Sequence, residues 1–280
     1  MNRYIYFLAV AFFLLSGMFF YENARFNDNK LHLIVCDIGQ GDGIFIRTPK
    51  GDDILIDAGP DDSILDCLSN HMPFWDKSIE VMIATHPDAD HITGLIYVLK
   101  SYNVIHYFTS EVSKDTAVYK RLQDALAEKN LTANYAFSGD RIDFSDKTSL
   151  LTVWPDKNSN PGLDTNDFAI VNLLSYGNFK AVLTTDAPFS VEEMVSDKIG
   201  KVDVLKVSHH GSKTGASDYF LSKIKPSLAI ISVGLKNRYG HPAKEVLDLL
   251  TNHNIKYLRT DKSGEVEVVS DGKSFKVYTN

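Results

Sequence analysis

Cysteine is scarce: the 280 residues contain only Cys36 and Cys67, in neither a CxxC pair nor a zinc-finger spacing. That excludes a cysteine-built zinc module and a multiply cross-linked secreted scaffold. The favoured state for the pair is two buried free thiols, with a single disulfide as the alternative. No internal repeat and no low-complexity tract runs through the chain, which excludes solenoids and repetitive linkers. Positive charge is not in excess either, since 29 Lys and Arg against 36 Asp and Glu leave a net charge of −7. A protein that coats nucleic acid or anionic membrane with its whole surface is ruled out, but a local basic groove is not. What the chain does have is a core: 44% hydrophobic and 11% aromatic residues suit one large α/β domain.

After Arg3 the sequence reads YIYFLAVAFFLLSGMFFY, uncharged and mostly apolar from Tyr4 to Tyr21. That run is at the lower edge of what spans a hydrocarbon core of roughly 30 Å. A cleaved secretory signal needs small residues at its cleavage site, and here Ser16 and Gly17 are followed by bulky MFFY. The expectation is therefore a single-pass signal-anchor in the cell membrane, Arg3 on the cytoplasmic side and the rest outside. Secretion and a buried core helix are the alternatives. The expected organisation is an anchor over 1–21, a polar linker over 22–30, and one globular domain over 31–280.

From Leu31 strands alternate with helices. LHLIVCDI, GIFIRTP and DILIDAG read as strands, with a hairpin turn at PKGDD, and IEVMIATH as another. A second series runs FAIVNLLSYG, FKAVLTTDA, VDVLKVSHH and SLAIISVG, with helices near 117–129, 191–197, 217–224 and 243–253. Two such series predict two packed sheets with helices outside. Polar residues able to do chemistry recur where strands end, where such folds assemble sites.

The densest of these places is HPDADH, which sets His86, Asp88, Asp90 and His91 within six positions after an apolar strand. Extended backbone points alternate residues to one side, and a helix starting near Asp90 swings His91 back toward them. Imidazole with carboxylate suits a divalent ion such as zinc or manganese. The plainer reading makes Asp90 a helix cap. Asp186, in LTTDAP, suits a carboxylate bridging two ions or a cap ahead of Pro188. His209 and His210 end another strand, and His241 lies in the Gly/Pro-flanked loop NRYGHP. From Lys201 to Lys244 eight Lys/Arg face two acids, an excess that favours a phosphate-containing substrate. Asn166 and Asp167, in DTNDF, precede a strand, and the fold rather than spacing decides whether they reach the same side.

These pieces together resemble the metallo-β-lactamase superfamily, and within it the hydrolase domain of ComEC-type competence DNA-uptake proteins. The matching stretches are CDIGQGDGIFIRTPKGDDILIDAG, THPDADHITGL, LTTDA, LKVSHHGSKT and ISVGLKNRYGHP, in family order after the linker. The resemblance implies a four-layer αββα sandwich behind the N-terminal helix, with two divalent ions, zinc or manganese, at one edge. It implies metal ligation by His86, Asp88, Asp90, His91 and Asp186, with His209 as the later ligand. His210, His241 and Asn166 are then left for substrate and catalysis. The wider superfamily has histidine where this chain has Asp88, whereas ComEC-type domains share the aspartate. The usual later histidine is missing, Asn166 standing near its place, and fewer imidazoles favour manganese. The activity implied is hydrolysis of a phosphodiester, single-stranded DNA or a surface phosphodiester. A lactonase or β-lactamase, and a non-catalytic metal-stabilised DNA-binding or assembly module, are the other readings.

Overall fold

The uncharged run that opens the chain is helical throughout, forming α1 (Asn2–Phe26). Arg3–Phe26 is long and apolar enough to cross a membrane, its most apolar stretch having mean hydropathy 1.9 and no buried residue. The helix continues through the first residues of the stretch read as linker, so the connector shortens to residues 27–30. Near its end α1 touches the rest of the chain: the Phe19 ring lies 4.8 Å from that of Trp75. The Arg25 guanidinium donates to the Asn70 carbonyl at 3.1 Å.

The computed structural model describes residues 2–159 and 164–279, and beyond α1 it contains two mixed sheets. The first holds β1 (Leu31–Val35), β2 (Gly43–Arg47), β3 (Asp53–Ala58), β4 (Ser78–Ala84), β5 (Asn103–Thr109) and β6 (Ala133–Tyr135). The second holds β7 (Arg141–Asp143), β8 (Thr148–Trp154), β9 (Val171–Tyr176), β10 (Phe179–Leu183), β11 (Val204–Lys206), β12 (Leu228–Ile231) and β13 (Lys256–Arg259). Then β14 (Val266–Ser270) and β15 (Phe275–Thr279) return to the first sheet, β14 lying antiparallel against β1.

Strand periodicity explains the layering. Leu31, Leu33 and Val35 of β1 and Ile54 and Ile56 of β3 meet Leu174, Leu183, Val204 and Ile230 between the sheets. Their neighbours Ile34 and Leu55 face the opposite way, under α2 (Ile64–His71), α3 (Ala89–Ser101) and α4 (Ala117–Glu128). On the far side α5 (Phe189–Ile199), α6 (Asp218–Ile224) and α7 (Lys244–Asn252) cover the second sheet. Both faces of each sheet are thus buried, which is why so many strands read as continuous apolar runs. The result is the αββα sandwich expected from the sequence.

One expectation is overturned. Cys36, just after β1, and Cys67, on α2, form a disulfide with Cα atoms 5.9 Å apart, not two free thiols. They are 31 positions apart, and only the docking of α2 beside the end of β1 brings them together.

The glycine in THPDADHITGL also has a packing cause. A Cβ on Gly94 would lie 1.9 Å from the Ala58 carbonyl oxygen, because α3 rests directly on the end of β3. The Gly94 amide meanwhile donates to the Gly59 carbonyl at 2.9 Å. Gly94→Ala is expected to destabilise the fold by at least about 2 kcal/mol through this overpacking. Chemical denaturation checks it, and an unchanged midpoint would contradict the close approach.

Candidate metal centre

The site forms where the inner ends of β3, β4, β10 and β11 open onto loops. His86 follows β4 and is buried, its Nδ1 within 3.1 Å of the Thr85 hydroxyl. His91, on the first turn of α3, is fully buried and contacts the Asp57 carboxylate through Nδ1 at 2.8 Å. A buried carboxylate accepts, so this contact fixes Nδ1 as the donor and frees His91 Nε2. That Nε2 lies 3.3 Å from Asp186 Oδ2. The other Asp186 oxygen is 3.5 Å from His210 Nε2, and His210 Nε2 is 3.7 Å from Asp90 Oδ2. His209 Nε2 approaches Asp186 at 3.8 Å.

Backbone strain aims the histidine pair. His209 and His210 have φ of 48° and 54°, both in the left-handed region that non-glycine residues rarely enter. The turn is held from beneath: the His209 amide donates to Thr185 at 2.8 Å, and His210 Nδ1 is 3.0 Å from the Ser232 carbonyl. The Ser208 hydroxyl donates at 2.7 Å to Glu192, a fully buried acid whose pKa burial pushes up to about 8. Consequently His210 is 2% exposed and points at Asp186 and Asp90, whereas the His209 side chain is 32% exposed and faces outward.

Asp88 behaves differently. It accepts from Lys114 at 2.7 Å and from the Thr165 hydroxyl at 2.8 Å. Thr165 begins the short 3-10 turn Thr165–Phe168 that carries Asn166, so that segment is stitched to HPDADH. Asn166 Oδ1 is buried without a hydrogen-bond partner, while Asp167 is used through its carbonyl, which accepts from Trp154 at 2.8 Å. His241 stands at the mouth, its ring 6.0 Å from that of His209. His32, His71 and His253 lie elsewhere, each paired with an acid.

Sequence reasoning assigned no role to Asp57, Asp42 or Lys206. Asp57 accepts from both the amide and the hydroxyl of Thr85, at 2.8 and 2.6 Å, besides His91. It ends β3 in DILIDAG, so the strand-end pattern that singled out His86 and Asp186 also marks it. Asp42 and Lys206 form an ion pair buried at 0% exposure, and Asp42 Oδ1 lies 3.4 Å from His210 Nδ1. Nothing in spacing pairs residues 164 positions apart. The same pair removes Lys206 from the basic tract, and Lys213, Lys223 and Lys244 also have acidic partners. Lys201, Lys225, Lys236 and Arg238 remain exposed, with no ion pair among the described residues, the last two on the loop before His241.

Do these residues suit metal ions? Buried ring nitrogens on His86, His91 and His210, with Asp186 Oδ1, have no hydrogen-bond partner. Unpaired buried polar atoms are costly, and those of His91, His210 and Asp186, which face one another beside His86, suit a cation. One ligand atom from each of Asp90, His91 and His210 lies within 4.8 Å of the others, as does one from each of Asp42, Asp186 and His210. Without an ion, protons take up the excess negative charge. Burial opposes protonation of His210, but Asp186, Asp42 and Asp90 raise it to about 9. Burial likewise opposes His91, which Asp186 and Asp57 lift well above the ordinary range. Asp186 is held well below the usual carboxylate range despite burial, by His210 and His91.

Metal binding must then expel protons from His91 and His210, so affinity is expected to weaken as the pH is lowered, by roughly tenfold per unit per proton displaced, and to strengthen as it is raised. Calorimetry of manganese or zinc binding in two buffers of different ionisation enthalpy reads this release. Identical heats in both buffers would contradict it.

The four-layer sandwich and the histidine–aspartate cluster at its strand ends define a class. The chain belongs to the metallo-β-lactamase superfamily, matching it over residues 36–234. Within that class it is similar to ComE operon protein 3 of Bacillus subtilis strain 168, at 31% identity over 255 residues that cover 82% of this chain and 32% of that protein. It is also 30% identical to Recombination protein 2 of Haemophilus influenzae, over 83% of this chain and 28% of that protein. These matches bear out the resemblance to ComEC-type competence proteins, and the chain spans about a third of the length of such relatives. Its fold is similar to that of zinc-bound PqqB from Methylobacterium extorquens, with TM-score 0.57 and 11% identity, covering 81% of this chain and 97% of that one.

Proposed function

We propose that this protein is a metal-dependent phosphodiesterase, held in the membrane by α1 with its hydrolase domain outside the cytoplasm. The observation that carries the reading is the set of unpartnered buried nitrogens of His86, His91 and His210 around Asp186. The Cys36–Cys67 disulfide supports the placement, because such bonds persist in oxidising compartments. A phosphate-containing substrate is supported by exposed Lys236 and Arg238 near the mouth. DNA is supported further by the names of the relatives, one a competence-operon product and one a recombination protein.

In this reading divalent ions, manganese or zinc, supply Lewis acidity and bring the pKa of water toward neutrality. His86, Asp90, His91 and Asp186 would hold them, with Asp88 and Asn166 on the adjoining segments tied together through Thr165. The two later histidines exchange the roles the sequence analysis gave them. Buried His210, its Nδ1 already engaged by Ser232, suits ligation, and outward-facing His209 suits the substrate. His241 has its pKa lowered by burial and by His210 and His209, so near pH 7 it is neutral and offers one N–H to the leaving oxygen.

The test is hydrolysis by the full chain in detergent, with manganese or zinc, of bis-p-nitrophenyl phosphate, single-stranded DNA and a β-lactam. Metal-dependent cleavage of the phosphodiesters is expected. Cleavage of the lactam alone would move the protein to the β-lactamase reading. DNA binding without turnover under either metal would make it a non-catalytic module.

A further inference from the structure

We infer that Tyr239 is a base-stacking residue that makes this site select single-stranded nucleic acid over small phosphodiesters. The inference rests on the phosphodiesterase reading and concerns the loop Leu235–His241, which leaves β12 and ends at the mouth of the centre. The loop is exposed but built. Asn237 closes it, donating through Nδ2 to the carbonyls of Gly234 at 3.0 Å and His241 at 2.9 Å. Its Oδ1 accepts from the His241 amide at 2.9 Å. The closed loop carries Tyr239 against His241, the two rings 5.7 Å apart and only 14° from parallel.

Tyr239 is nevertheless 70% exposed, so with His241 covering one face the other is open to solvent. A large aromatic kept exposed and oriented at a site mouth is a platform for a flat ligand. Lys236 and Arg238, exposed on the same loop just before it, supply positive charge. Ring contacts lead inward from Tyr239, stacked on His241, to His209, which meets His241 edge-on and is 3.8 Å from Asp186. A phosphate near Asp186 therefore leaves a neighbouring base beside Tyr239. Only a single strand or a frayed end presents that base, since duplex bases are stacked on one another. A surface phosphodiester with a small headgroup has nothing to place there.

The test compares the full chain with Tyr239→Ala and Tyr239→Trp in detergent with manganese. The readouts are kcat/KM on a single-stranded oligothymidylate and on bis-p-nitrophenyl phosphate, and oligothymidylate binding by fluorescence anisotropy. Loss of one stacked base is expected to lower the oligonucleotide-to-small-diester ratio of kcat/KM by about 5- to 150-fold in Tyr239→Ala and to weaken oligonucleotide binding by a similar factor. Tyr239→Trp is expected to restore both. Equal losses on the two substrates would show that Tyr239 acts only by supporting His241, and would overturn the proposal. So would unchanged binding and KM. Failure of the phosphodiesterase reading looks different: no diester is cleaved, while the anisotropy series still reports whether Tyr239 holds a base.

Discussion

Asp186→Asn is expected to lower phosphodiester hydrolysis by at least about 10³-fold, with loss of tightly bound metal. Among the described residues its carboxylate alone is ion-paired with His91, His210 and His209 together, at 3.3, 3.5 and 3.8 Å. An amide of the same shape keeps the packing but removes the charge that gathers cations. A loss of several kcal/mol in transition-state stabilisation corresponds to about a thousandfold in rate. Steady-state kinetics and elemental analysis of the purified variant read the two effects separately. A variant that keeps its metal and loses less than roughly tenfold in rate would remove Asp186 from the centre of the reaction.

The second large effect concerns stability. Replacing Cys36 and Cys67 together by serine is expected to cost about 3–4 kcal/mol, the loop-closure term for a cross-link of this span. Urea denaturation measures it. A reductant should weaken the wild-type protein by the same amount and leave the double variant alone. If the reductant shifts both equally, or neither, the bond does not form in the protein. The bond ties α2 to the segment that begins CDIGQGDG, so its loss also loosens the loop that delivers Asp42 to His210.

Much of this was legible in the sequence because strand periodicity and strand-end chemistry are local. HPDADH, LTTDA and SHHG each announce themselves by residue type and by the apolar run before them, and the fold brings all three together. What stayed hidden depends on distance in the chain. Asp42 and Lys206 look like ordinary loop and strand residues until the two sheets face each other. The cysteines, too, are joined only by how α2 docks. Helix α2 itself is eight residues long, too short for its periodicity to stand out. The split between His209 and His210 turns on two left-handed backbone conformations, which no side-chain pattern encodes.

The course of β14 sets the order in which the protein can be finished. Leu31 pairs with Ser270 and Val35 with Val266, so the first strand after α1 waits for β14, more than two hundred positions further along the chain. Pairing at such separation is slow, because the whole intervening chain must be gathered first. A chain emerging N-terminus first therefore has one flank of β1 unpaired until β14 has been made, and the first sheet is completed only when the β14–β15 hairpin arrives.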